Sequence, residues 1–124
     1  MEGSNLDWIK LILDRSPAFV NEAMDGHNQT PPLHRAVWRN DRKVVDLLLE
    51  SGADINLQVE AGHTPLMWAA KRNHMDMLVY LLERGADPSL ANQQQMSFSA
   101  LDYAIQFGNY SLALWLSTHH PLPT

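Results

Sequence analysis

Gly62-His63-Thr64-Pro65-Leu66-Met67-Trp68-Ala69-Ala70 is a stretch that this chain repeats. Pro65-Leu66-Met67-Trp68-Ala69 answers Pro32-Leu33-His34-Arg35-Ala36 at an offset of 33 residues, and the same offset carries Arg39-Asn40 to Arg72-Asn73. It also carries Leu47-Leu48-Leu49-Glu50 to Tyr80-Leu81-Leu82-Glu83, and Gly52-Ala53-Asp54 to Gly85-Ala86-Asp87. Self-similarity at one fixed period is the mark of a repeat architecture. A third copy follows at an offset of 35, where Leu101, Ala104 and Gly108 answer Leu66, Ala69 and Asn73. Its two extra residues fall in the polar stretch 92–97, where a surface loop tolerates them. Ser4–Leu13 reads as the second half of an earlier unit, in register with Asn40–Leu49.

Each unit has the same local logic. Thr64 before Pro65 supplies a helix N-cap and then a proline at the first helical position, where a missing N–H costs nothing. Ser99 is placed to cap the third copy, whereas Pro31 occupies the capping position of the first, leaving that cap weak or supplied by Thr30. A first helix of about two turns then ends at Asn40, Asn73 or Gly108, residue types that tolerate left-handed backbone. A second helix follows over Arg42–Glu50 and Met75–Arg84, with Gly52 and Gly85 just beyond. Spacings of three and four put Val44, Leu47 and Leu48, and Met77 and Leu81, on one face of each. Ala36, Ala69 and Ala104 are small where neighbouring helices must approach closely. The expectation is an all-α row of antiparallel helix pairs joined by extended loops, without strands of ordinary length.

The quoted stretch, together with Leu81-Leu82-Glu83-Arg84-Gly85-Ala86-Asp87, resembles the ankyrin-repeat signature in spacing and residue type. Pro32–Ala36 with Leu47–Asn56 resembles it equally, and the resemblance covers roughly residues 4 to 118. Departures are Met67 and Asp102 where the family usually has histidine, and Ser99-Ala100 in place of threonine-proline, which weaken the third cap. The implied fold is an ankyrin solenoid forming one domain over residues 1–124. It comprises a half repeat at about 4–27, repeats at about 28–60 and 61–96, a terminal repeat at about 97–120 and a tail at 121–124.

Composition bounds the function. A net charge of −5 disfavours binding to nucleic acid or anionic membranes, so no nucleic-acid partner is expected. No apolar run approaches a membrane span, MEGSNLDWIK lacks a signal-peptide pattern, and the expected location is cytoplasmic or nuclear. The chain has no cysteine, which excludes disulfides, thiolate zinc sites and cysteine nucleophiles. Asn28-Gln29-Thr30 and Asn109-Tyr110-Ser111 match the glycosylation sequon, read here as chance. No glycine-rich phosphate loop, His-Glu-x-x-His or calcium-loop pattern occurs. His34 and His74 fall at positions where the family resemblance implies structural roles. The neighbours His119-His120 on a terminal tail make a poor metal pair, and Asp54 and Asp87 read as turn acceptors. The chain is therefore expected not to be an enzyme, with no catalytic residue, cofactor or metal.

What the resemblance implies instead is a protein or peptide partner, contacted by the short first helices and the loop tips. The outward positions of the first helices are Arg35, Trp38 and Arg39; Trp68, Lys71 and Arg72; and Tyr103, Gln106 and Phe107. They hold two of the four tryptophans and four of the nine Lys and Arg residues, types enriched in binding hot spots. An acidic chain that places basic and aromatic groups in one stripe suits an acidic, partly apolar ligand. His63 is expected to project into solvent from the loop 58–63, with the loop 93–98 as a further contact. Asp46, Glu50, Asp76 and Glu83 read as a solvated outer face. Leu112, Leu114, Trp115 and Leu116 make the last helix too apolar for an exposed cap, which suggests an end-to-end contact or a longer protein. The alternative function is an ankyrin targeting or regulatory segment of a multidomain protein, such as a ubiquitin-ligase adaptor or a signalling protein.

Overall fold

The computed structural model describes residues 31–59, 62–92 and 97–120. The expected half repeat at about 4–27, the loop residues 60–61 and 93–96, and the tail at 121–124 lie outside the described residues. The chain falls into two compact units, Met1–Asp54 and Ile55–Thr124.

In the first unit, α1 (Pro32–Trp38) packs against α2 (Arg42–Glu50). Leu33, Ala36 and Val37 of α1 and Val44, Val45 and Leu48 of α2 are buried, so the apolar spacing of three and four becomes the shared core. Among the described residues no side chain caps α1, whose N-cap is Pro31; Thr30, the other expected source of a cap, lies outside them. Between the helices Asn40 takes φ 58°. Its N–H bonds to the Val37 carbonyl at 3.0 Å and that of Asp41 to the Ala36 carbonyl at 2.9 Å, which closes the helix end with a left-handed residue. Asp41 then caps α2 by accepting from the Val44 N–H at 3.3 Å, a second-helix cap that the reading of the sequence did not single out.

The second unit repeats this design twice. α3 (Pro65–Lys71) packs on α4 (Met75–Glu83), α5 (Ala100–Gln106) packs on α6 (Tyr110–His119), and α3 lies against α5. Ala69 and Ala104 are wholly buried, and Leu66, Met67, Leu78, Leu81, Leu112 and Leu116 fill the core around them. Each such large apolar side chain taken out of water contributes about 1.5–3 kcal/mol. Asn73, at φ 58°, and Gly108, at φ 78°, end the first helices as Asn40 does.

The caps settle what the departures from the repeat pattern do. Thr64 Oγ1 accepts from the Met67 N–H at 3.2 Å, while the Thr64 N–H lies 3.4 Å from Met67 Sδ. Ser99 Oγ accepts from the Asp102 N–H at 3.4 Å, and Asp102 Oδ2 accepts from the Ser99 N–H at 2.9 Å. The expectation of a weakened third cap is corrected. Asp102, standing where the family has histidine, completes a reciprocal capping box and satisfies two helix-end donors at once.

Among the described residues the only extended pairings are isolated bridges, Val59 with His63 and Ala91 with Ser99. They close the bases of the two loops. Gln58 Nε2 donates to the Gly62 carbonyl at 2.9 Å and to the Ala91 carbonyl at 3.0 Å, tying one loop to the next. The Asp87 N–H reaches Asn56 Oδ1 at 2.8 Å, while the Asp87 carboxylate accepts from the Ser89 N–H at 2.9 Å and its hydroxyl at 2.6 Å. Asp87 is thus the turn acceptor expected of it, and these bonds hold its carboxyl below the usual range.

Candidate partner-binding surface

In the first unit Arg35 is half-buried, whereas Trp38, at the end of α1, and Arg39 are exposed, Trp38 to 40%. His34 is completely buried in that unit.

The second unit gathers most of the remaining candidates around Tyr103. Its ring lies under Lys71, whose Nζ stands 4.3 Å from the ring centroid and 5.9 Å from that of Phe107. The Tyr103 hydroxyl sits 2.8 Å from His63 Nε2, and Lys71 Nζ reaches the same nitrogen at 3.4 Å. Asn92 Nδ2 donates to the Tyr103 hydroxyl from the other side. The Asn92 amide is oriented by its Oδ1, which accepts from the Phe98 N–H at 3.0 Å. Phe98 packs edge-on against Tyr103 with ring centroids 5.4 Å apart. The outcome is a bridge between both loop bases and the first helices, centred on one phenol.

Two expectations are corrected here. Tyr103 is not an outward residue: only 5% of it is exposed, because its ring fills the space between the α3–α5 pair and the loop bases. Nor does His63 project freely into solvent; it is half-buried and held against Tyr103 with ring centroids 5.5 Å apart. The rest of the set keeps its side-chain access. Phe107 is 54% exposed, Arg72 and Gln106 are exposed, and Trp68 and Lys71 are half-buried. The sequence hid Tyr103's role because partners 11 and 40 residues away, Asn92 and His63, carry it.

In the second unit charge is sorted by element. α3 and α5 carry a single carboxylate between them, Asp102, and its Oδ2 is taken up by the Ser99 N–H and hydroxyl at 2.9 and 3.1 Å. Asp76 and Glu83 lie exposed on α4, as expected of a solvated face. Partial burial lowers the Lys71 pKa from its ordinary 10.5. Arg84 stays with the second helices, its Nη1 donating to the Tyr80 hydroxyl at 2.7 Å.

Asn109, in the second sequon, donates its amide to the Ala70 carbonyl at 2.7 Å and the Lys71 carbonyl at 3.3 Å. It serves as a clamp on the end of α3. His119 is the last residue of α6 and not part of a tail; it stacks on Trp115 with ring centroids 4.3 Å apart. On the same helix Tyr110 and Leu114 are 68% and 69% exposed. Among the described residues no three His, Cys, Asp or Glu side chains cluster as a metal set, and no helix is long and apolar enough to cross a membrane.

Short capped helix pairs, left-handed turns and paired loop bases define a repeat protein. The family model for ankyrin repeats (3 copies) matches residues 33–122, and the chain belongs to the ankyrin-repeat family. It is 32% identical over 113 residues to the palmitoyltransferase AKR1 of Lachancea kluyveri, covering 90% of this chain and 15% of that protein. Human ankyrin repeat domain-containing protein 40 is 40% identical over 72 residues, 57% of this chain and 20% of that protein. The human transient receptor potential cation channel subfamily A member 1 is 32% identical over 94 residues, 75% of this chain and 8% of that protein. The chain spans between 13 and 22% of the length of the curated relatives it matches first. Ankyrin repeats are protein–protein interaction modules, and their fold is not a catalytic one.

Proposed function

We propose that this chain is an adaptor module that takes an acidic, partly apolar protein segment on its first-helix and loop surface. The observation that carries this reading is the sorting of charge: Lys71 and Arg72 close α3, while the one carboxylate of α3 and α5 is spent on a cap. Arg35 and Trp38 on α1, with Arg39 just beyond its end, offer basic and aromatic side chains in the first unit. A cytoplasmic or nuclear setting belongs to this reading. So does a secondary, end-to-end contact through Tyr110 and Leu114 of α6.

The test is affinity purification with mass spectrometry, comparing wild type with Trp38→Ala/Arg39→Glu, with Arg72→Glu and with the second-helix control Asp76→Lys. All variants alter exposed side chains and are expected to fold. At least one first-helix variant is expected to lose the main partner while the control retains it. Equal recovery from all four would refute the proposal.

A second reading is a targeting or regulatory ankyrin segment of a larger multidomain protein, of the ubiquitin-ligase adaptor or signalling kind. The small fraction of each relative that the chain spans favours it. The transcript sequence on both sides of residues 1–124 decides it.

A further inference from the structure

We propose that Lys71 anchors a carboxylate side chain of the partner, with the apolar neighbour of that carboxylate seated on Phe107; this rests on the function proposed above. The argument starts from where the ammonium is held. Its Nζ lies over Tyr103 and beside Phe107, at 4.3 and 5.9 Å from the two ring centroids, and 3.4 Å from His63 Nε2. Among the described residues no carboxylate pairs with it. A cation over aromatic faces keeps most of its charge available, because the rings contribute quadrupole and no counter-charge.

The ammonium is also fixed before any ligand arrives. The relay from the Phe98 N–H through Asn92 and the Tyr103 hydroxyl to His63 Nε2 locks the ring beneath Lys71 and the imidazole beside it. A lysine spends side-chain entropy when a ligand immobilises it, and one already docked has less left to lose. Arg72 adds a second positive charge at the same helix end. Phe107, 54% exposed and next to the ammonium, offers an apolar platform within reach of the residue beside a bound carboxylate. An isolated anion such as phosphate would use the charge and leave the platform empty. An acidic peptide uses both, which is why the geometry points to one.

The probe is a phage-displayed library of random dodecapeptides panned on the full chain. Enriched peptides are expected to share an Asp or Glu beside an aromatic or branched aliphatic residue. A chosen peptide is then titrated calorimetrically against wild type, Lys71→Arg, Lys71→Met and Phe107→Ala, each checked for folding by circular dichroism. Lys71→Met and Phe107→Ala are expected to weaken binding about tenfold or more, with Lys71→Arg closer to wild type. Neutralising the peptide's acid should cost wild type as much and Lys71→Met little, the signature of a direct pair. Peptides that bind α3 and α5 but ignore Lys71 would overturn this inference and leave the proposed function standing. Peptides indifferent alike to the Lys71 and Phe107 substitutions, to Arg72→Glu and to Trp38→Ala/Arg39→Glu would overturn both. Displacement of the peptide by a single-stranded oligonucleotide at physiological salt would overturn the assignment to an acidic peptide.

Discussion

Tyr103 has one hydroxyl and several duties: it accepts from Asn92 Nδ2, meets His63 Nε2 at 2.8 Å and lays its ring under Lys71. Tyr103→Phe separates them, since it keeps the ring and removes the oxygen. The Asn92 amide and the His63 nitrogen then lose a partner in a site that water reaches poorly, a loss of about 1–3 kcal/mol. Urea denaturation is expected to show that loss with an unchanged slope; a wild-type midpoint would mean that the relay contributes nothing. Lys71 itself has a pH signature. Burial lowers its pKa in the folded state below 10.5, so the native chain binds that proton less tightly than the unfolded one. The penalty is fully present below the folded-state value and is relieved as pH rises from there to 10.5, so this group adds stability with rising pH only in that alkaline window. In a side-chain NMR titration Lys71 is expected to lose its proton below 10.5, and a bound carboxylate is expected to raise that midpoint. A midpoint that an acidic peptide leaves unmoved would count against Lys71 as its anchor.

At the scale of elements, the turn that ends each first helix carries the repeat. Asn40 and Asn73 both adopt φ 58°, and Gly108 adopts 78° at the matching place. Asn73→Ala keeps a β-carbon in left-handed backbone but removes the short polar side chain that eases it there, at a cost of about 1 kcal/mol. Asn73→Gly removes the β-carbon and is expected to be neutral or slightly stabilising. Thermal denaturation of the two variants checks this, and equal melting temperatures would contradict it. These turns were legible in the sequence because their cause is local: an Asn or Gly two turns after the start of each first helix, at offsets of 33 and 35 residues. The helix spans Pro65–Lys71 and Arg42–Glu50 were legible for the same reason, being set by caps and by apolar spacing. The caps made by Asp41 and Asp102 escaped although each spans three residues; the rest of what escaped was non-local. Asp41, His74 and Asn109 occupy one register position, yet Asp41 caps α2, His74 makes no side-chain cap bond and Asn109 reaches back to Ala70. Spacing within a repeat says nothing of a bond that spans 39 residues. Tyr103 escaped likewise, since its helical position is outward by periodicity and only the loop bases packed over it turn it inward.

Across the whole molecule, an acidic chain of net charge −5 ends α3 with Lys71 and Arg72, and it spends the carboxylate of α3 and α5 on a helix cap. Its sequence period and its ankyrin family match account for the fold, and the fold places those side chains on the first-helix side for which a ligand is proposed. The proposed chemistry of the ligand rests on charge and aromatic placement in the second unit. The measurement that tests this most directly is a two-dimensional NMR titration of the full chain with an acidic peptide selected against it. Shifts are expected to concentrate on Trp68, Lys71, Arg72 and Phe107 and on the loop base at His63, with Asp76 and Glu83 on α4 unmoved. Shifts centred on α4, or on Tyr110 and Leu114 of α6 with α3 silent, would contradict the account.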